Sequence, residues 1–244
     1  MSLNNLGKFT GKQILNGSYR ANFFSNERIK IEKVIAQIAQ IVPATDAEGP
    51  GNRFAIWFQG CPLRCKGCCN PEMLSFDGGT EIAIKDVCEQ ITSAIQVGQR
   101  SDNPREHLEG ITLLGGEPFS HAEAASQIAA FAQRSGLTVM IFSGFLFEDL
   151  NVQAETQPDI ANLLTNTDML VDGPYDRDQP DRQRRFIGST NQRVHFLTRR
   201  YSAEDEFWNE PDTLEVRLAD GQLTVNGFPA KAATGIWKRP KKNR

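Results

Sequence analysis

Four of the chain's five cysteines fall within residues 59–70, Gln-Gly-Cys-Pro-Leu-Arg-Cys-Lys-Gly-Cys-Cys-Asn. Cys61, Cys65 and Cys68 have C-x3-C-x2-C spacing, and Cys69 follows directly. Three thiolates on so short a loop can converge on one metal centre. No fourth ligand stands out elsewhere, because the three histidines, His107, His121 and His195, are scattered. A cubane iron–sulfur cluster takes one ligand per iron, so three cysteines would leave one iron open. A structural zinc site normally takes four Cys or His ligands. Cys69 could be the fourth, but adjacent cysteines rarely both reach one tetrahedral metal. Cys88 falls on a predicted helix and reads as a buried apolar thiol. Structural or redox thiols are a third reading, and would not need this spacing.

The elements that must hold this loop can be read around it. Phe54-Ala55-Ile56-Trp57-Phe58 is a short buried strand leading into the cysteines, and Gly49-Pro50-Gly51 breaks the chain before it. The run ending in Ile41-Val42-Pro43 predicts an earlier strand. Helices are predicted from about Ile84 to Val97, from Ala122 to Arg134, and up to Leu164. Strands are predicted through Gly110–Leu114, Leu137–Phe142 and Asp168–Val171. Strand and helix therefore alternate through residues 53–173, the pattern of βα units on a parallel sheet. Ligand sites in such folds lie at the carboxyl ends of the strands. Four strand ends carry distinctive residues: the cysteines, Gly115-Gly116-Glu117-Pro118, Ser143-Gly144 and Asp172-Gly173.

The flanks differ from this core. Residues 1–30 are polar and weakly patterned and predict an irregular extension. Residues 177–200 carry seven arginines and no lysine, with Asp178 and Asp181 interleaved, which predicts an ion-paired face. Leu214–Leu218 and Gln222–Asn226 alternate around Ala219-Asp220-Gly221, an antiparallel hairpin with an Asp-Gly turn. The end, Lys238 to Arg244, is a basic tail. The 244 residues are 39% hydrophobic and 23% charged, enough for a sizeable core. A formal charge of −3 does not suggest a nucleic-acid binder. No apolar run is long enough to span a bilayer and no signal peptide is evident, so a cytoplasmic protein is expected. Clustered cysteines there favour metal or redox chemistry over disulfides.

The cysteine spacing and the glycine turn together resemble the radical S-adenosylmethionine (SAM) superfamily. Gly49-Pro50-Gly51-Asn52-Arg53, Cys61-Pro62-Leu63-Arg64-Cys65, Asn70-Pro71-Glu72, Val171–Tyr175 and Arg185–Arg193 resemble its glycyl-radical-enzyme activating members, the anaerobic ribonucleoside-triphosphate reductase activators in particular. The resemblance covers roughly residues 35–197. Cys69 stands where such proteins usually carry Tyr or His. The resemblance implies a partial (β/α)6 TIM-like barrel of the radical SAM type, with residues 31–200 as the core, 1–30 as an extension and 201–244 as a C-terminal hairpin and tail. It implies a [4Fe–4S] cluster on Cys61, Cys65 and Cys68, and SAM on the open iron. Gly115, Gly116, Glu117, Ser143, Gly144 and Asp172 become candidate SAM contacts, against a plainer reading as turn and cap residues.

The expected function is reductive cleavage of SAM to a 5′-deoxyadenosyl radical, to install a glycyl radical on a partner enzyme of anaerobic ribonucleotide reductase or pyruvate formate-lyase type. A flavodoxin or ferredoxin electron donor is implied by the same resemblance. Two rivals stand beside it. One is a radical SAM enzyme acting on a small molecule, such as a 7-carboxy-7-deazaguanine synthase-like enzyme. The other is an Fe–S protein that only carries electrons or binds partners.

Overall fold

The cysteine loop is held at the end of a seven-stranded sheet in a computed structural model that describes residues 34–219 and 222–227. The extension at 1–30, the Asp-Gly turn and the basic tail expected from the sequence lie outside the described residues. In chain order the strands are β1 (Ile35–Thr45), β2 (Asn52–Phe58), β3 (Thr80–Ala83), β4 (Leu108–Gly115), β5 (Thr138–Phe142), β6 (Met169–Asp172) and β7 (Arg193–Phe196). The helices are α1 (Ile84–Gly98), α2 (Ala122–Arg134), α3 (Phe147–Ala154) and α4 (Pro158–Thr165). The sheet order is β3-β1-β2-β4-β5-β6-β7.

Three neighbouring pairs, β2/β4, β4/β5 and β5/β6, are parallel. The outer pairs, β1/β2, β1/β3 and β6/β7, are antiparallel. The α/β class and the parallel core are as the sequence predicts. The sheet is open, with four parallel strands flanked by antiparallel ones, so it holds fewer than the six βα units expected. Antiparallel neighbours need only short connections, whereas each further parallel strand needs a crossover. The return from β6 to β7 runs through the arginine-rich loop with no helix in it. β3, α3 and β7 were not foreseen; they are short, and their exposed or half-buried faces leave little pattern.

Alternate residues divide the two faces of the sheet. Phe54, Ile56 and Phe58, with Ile111, Leu113, Val139, Ile141 and Leu170, meet the helices. They pack there on Val87, Cys88 and Ile91 of α1 and on Ala125, Ile128, Ala129 and Ala132 of α2. The alanines favour the helix and let α2 lie close to the sheet. Ala55 and Trp57 face the other way with Leu114, and Met140, Met169 and Val171 do likewise with Ile187 and Tyr201. Every residue of β2 is buried, as expected of a strand covered on both faces. Pro43 sits where the β1/β2 register slips between Val42 and Thr45, the irregular place in a strand that proline tolerates.

Arg53 anchors the start of the parallel strands. Its side chain is fully buried. Nε donates to Thr112 Oγ1 at 2.7 Å, and one terminal nitrogen donates to Pro50 O and Thr138 Oγ1, both at 3.1 Å, and to Tyr201 OH at 3.3 Å. The other donates to Ile111 O. Tyr201 in turn donates to Glu109 at 2.5 Å. Gly49 must be glycine here: its φ is +140°, and a Cβ would stand 2.7 Å from Arg53 Cδ. Burial pushes the guanidinium pKa down, against the pull of Tyr201 and Glu109. Replacing Arg53 by Met leaves these buried acceptors without a donor. Arg53→Met should therefore cost about 3 kcal/mol or more in urea unfolding; a loss under about 1 kcal/mol would show that the network is not what holds these strands together.

Candidate metal centre

Cys61 follows β2 by three residues, and the first turn of its loop is fixed by main-chain bonds. Gly60 N–H donates to Met73 O at 3.0 Å, and Cys61 N–H donates to Leu74 O at 3.2 Å. Gln59 Nε2 donates to the carbonyls of Glu72 (3.2 Å) and Ser75 (2.7 Å). The returning segment 71–75, which contains a single 3-10 turn at Pro71–Met73, thus closes the cysteine loop at its base.

β4 ends alongside β2, with Phe58 opposite Gly115 in register. Gly116 N–H donates to Phe58 O at 2.7 Å, and Glu117 N–H donates to Gly60 O at 2.9 Å. This approach excludes side chains. A Cβ on Gly115 would stand 2.6 Å from Trp57 Cα, and one on Gly116 would overlap the Gly60 carbonyl. The two glycines therefore serve backbone-to-backbone contact with the cysteine loop.

Glu117 is 1% exposed, and its carboxylate ties the ends of β4 and β5 together. Its Oε1 accepts from Phe119 N–H at 3.0 Å and from the Ser143 hydroxyl at 2.9 Å, and its Oε2 accepts from Gly144 N–H at 2.8 Å. Burial pushes its carboxyl up to about 7, opposed by those three donors. A carboxylate has about four acceptor positions, so one remains.

The sequence-predicted residues meet in one cavity of about 350 Å³. Cys61, Cys65 and Cys68 line it with Gly115, Gly116, Glu117, Ser143 and Gly144. Asp172 is the exception. Its side chain is fully buried and turned to Arg193 and to the start of α3, where it accepts from Phe147 N–H at 2.7 Å. Burial raises its carboxyl, but Arg193, the Phe147 N–H and His195 outweigh that and hold it low. Gly173, the next residue, is the one on the cavity wall.

Burial also pushes the Cys61 and Cys68 thiols up, opposed by the backbone N–H groups of Leu63 and Arg64 and of Asn70. The thiolates need compensating positive charge, which is what a bound cluster gives. Cys69 is also on the wall, where it shares a hydrogen bond with the Tyr175 hydroxyl. Among the described residues no three His, Cys, Asp or Glu side chains gather around a single ion. Three thiols spread along one wall suit a cluster, which offers each ligand a separate iron.

Sequence reasoning missed Glu48, Tyr175 and Asn226, all on this wall. Glu48 was findable, since it stands directly before Gly49-Pro50-Gly51. Part of the arginine-rich segment is ion-paired: Arg184 meets Asp181, Arg185 meets Glu210, Arg193 meets Glu148 and Asp172, and Arg200 meets Asp168. Asn191 donates to Pro174 O at 2.8 Å and holds a turn.

Residues 47–195 match the family of 4Fe-4S single cluster domains. The chain belongs to that 4Fe-4S family. It is also 29% identical over 163 residues to the anaerobic ribonucleoside-triphosphate reductase-activating protein of Salmonella typhi, covering 65% of this chain and 97% of the relative. The protein of the same name from Escherichia coli K12 is 28% identical over the same shares. A putative glycyl-radical enzyme activating enzyme of Haemophilus influenzae is 28% identical over 120 residues, 48% of this chain and 42% of that one. The 4Fe-4S match spans the cysteine loop, the Gly115 turn and β7, the segment that forms most of the cavity wall.

Two outcomes test this geometry. Gly116→Ala should cost about 2–4 kcal/mol in unfolding free energy and lower the iron bound per chain after reconstitution, because backbone has to move; unchanged iron content and stability would refute the contact. Glu48 is half-buried, and its loss of solvent pushes its carboxyl up to about 7, opposed by the Gly227 N–H. The folded state then holds a proton that the unfolded state has lost. Stability from this group is fully present below the unfolded pKa and is lost as pH rises toward 7. Urea unfolding between pH 4.5 and 7.5 should show that fall, and Glu48→Gln should flatten it by up to about 3 kcal/mol.

Proposed function

We propose that this chain is a radical SAM activase that installs a glycyl radical on a partner enzyme of anaerobic ribonucleotide reductase or pyruvate formate-lyase type. The observation that carries the reading is the single cavity. It brings three cysteines together with the Gly115–Glu117 turn, in a chain of the 4Fe-4S family whose relatives include activators of that kind.

Cys61, Cys65 and Cys68 would hold three irons of a [4Fe–4S] cluster and leave the fourth for SAM. When bound and reduced, the cluster and SAM supply the reductive cleavage of the sulfonium to methionine and a 5′-deoxyadenosyl radical. The chain's own residues bind and orient. Glu117 keeps an acceptor position for the SAM ammonium, and its three internal hydrogen bonds fix where that position points. Gly115 and Gly116 bring main chain to the cavity wall. Ser143 and Gly144 act through Glu117, and Asp172 acts by setting the turn that presents Gly173. Trp57, Leu114 and Phe142 on the same wall shield the bound groups from solvent.

In this reading residues 31–200 are a radical SAM core whose open sheet is an incomplete barrel, and residues 201–244 are an addition to it. The electron would come from a flavodoxin or ferredoxin, in the cytoplasm; among the described residues no helix is long and apolar enough to cross a membrane.

Anaerobic reconstitution with iron and sulfide, reduction with dithionite and addition of SAM should give 5′-deoxyadenosine and methionine in equal amounts. Cys65→Ala should lower both by more than about a hundredfold, since losing a ligand exceeds the 10–100-fold cost of losing a ligand's support. No 5′-deoxyadenosine from a chain with a full iron complement would overturn the reading in favour of a simple Fe–S carrier.

A further inference from the structure

The sequence beyond residue 195, where the 4Fe-4S match ends, contributes to the cavity wall. β8 (Leu214–Ala219) and β9 (Gln222–Gly227) form a separate two-stranded antiparallel sheet, and Val225, Asn226 and Gly227 line the cavity.

One side of the hairpin is clamped to the second half of β1 and the segment that follows it. Glu215 accepts from Asp46 N–H at 2.9 Å, Arg217 donates to Ala44 O, and Gln40 donates to Asn226 Oδ1 at 3.1 Å. Gly227 N–H donates to the Glu48 carboxylate at 3.0 Å. These contacts fix β9 at the cavity.

The register shows which way its edge faces. Gly227 N–H leaves the ladder and donates to Glu48, so Leu214↔Gly227 is a non-hydrogen-bonded pair. Pairs alternate along the two strands, so Val216↔Val225 is also a non-hydrogen-bonded pair, and its N–H and C=O groups point outward. Val225, two residues back on the same edge, presents its N–H and C=O on that same side, beside the cavity. Its side chain is 43% exposed, and that of its cross-strand neighbour Val216 is 52% exposed.

We infer that the outer edge of β9 at Val225 is a docking strand for an extended segment of the partner enzyme, which adds to the hairpin and carries the reacting glycine into the cavity. This rests on the glycine-activating reading above. Glycine offers no side chain to grip, so a site that acts on its Cα must hold the flanking main chain. Strand addition is the recognition mode that holds main chain, with side-chain contacts at alternate positions. Val216 and Val225 supply the apolar contacts here.

The probe is a fluorescent nine-residue peptide centred on the reacting glycine of the anaerobic ribonucleotide reductase from the same genome. Its binding to the reconstituted, SAM-bound chain is measured by anisotropy. Two further peptides carry N-methyl groups on one or the other alternate set of amides. One set should weaken binding about tenfold or more, the worth of a lost main-chain hydrogen bond, and the other should change it less than about threefold. Val225→Pro, which removes an outward N–H at an edge position, should weaken the parent peptide about tenfold or more, while Val225→Ala, which keeps that N–H and trims only the apolar contact, should weaken it less than about fivefold. Equal binding of all three peptides, no binding of the parent peptide, or equal affinities of the Pro and Ala variants would overturn the inference. Failure of the underlying reading shows separately, as absence of 5′-deoxyadenosine from the wild-type chain without any peptide.

Discussion

The site depends on two stretches of backbone lying closer than any side chain allows. Gly116 meets Gly60 at the point where β4 ends beside β2, and the hydrogen bonds from Gly116 and Glu117 cross from one strand end to the other. The cysteine loop starts at that contact. Its first thiol is three residues past β2, so the position of Cys61 is inherited from the sheet and not from the loop. Cys65 and Cys68 then follow from a loop closed at its base by Gln59 and the 71–75 return. A metal centre placed on rigid elements in this way is held more precisely than one built on a free loop.

Buried charge is distributed with the same logic. Glu117 joins the ends of β4 and β5 at the cavity, and Asp172 joins β6 to β7 and α3 beside it. Arg53 does the equivalent task at the opposite ends of the parallel strands, where β2, β4 and β5 begin. Each of these groups is costly to bury alone and is satisfied by several partners from different elements. They therefore fix how the strands align, and the cavity's shape is a consequence of that alignment.

The chemistry was the most legible part of the sequence. C-x3-C-x2-C is local, so its spacing survives translation into structure, and Gly115-Gly116-Glu117 is short enough to be read the same way. The parallel core was legible because strands buried on both faces read as continuous apolar runs. What failed depends on long-range pairing. The sheet holds four parallel strands where six βα units were expected; β3 and β7 pair antiparallel at its edges, and those four-residue strands have no periodicity to detect. Asp172 lay at a predicted strand end but turns to Arg193, a partner 21 residues on, and nothing local fixes that choice. The hairpin was visible as a hairpin; its place at the cavity rests on contacts to Gln40, Ala44, Asp46 and Glu48, more than 160 residues away.

The central claim is that three cysteines leave one iron open and that SAM binds it. The most direct measurement is the low-temperature electron paramagnetic resonance spectrum of the dithionite-reduced, reconstituted chain, recorded before and after SAM is added. An open iron that takes SAM must give a [4Fe–4S]⁺ signal whose g values shift on addition. A cubane signal of full intensity that SAM leaves unchanged would contradict the claim.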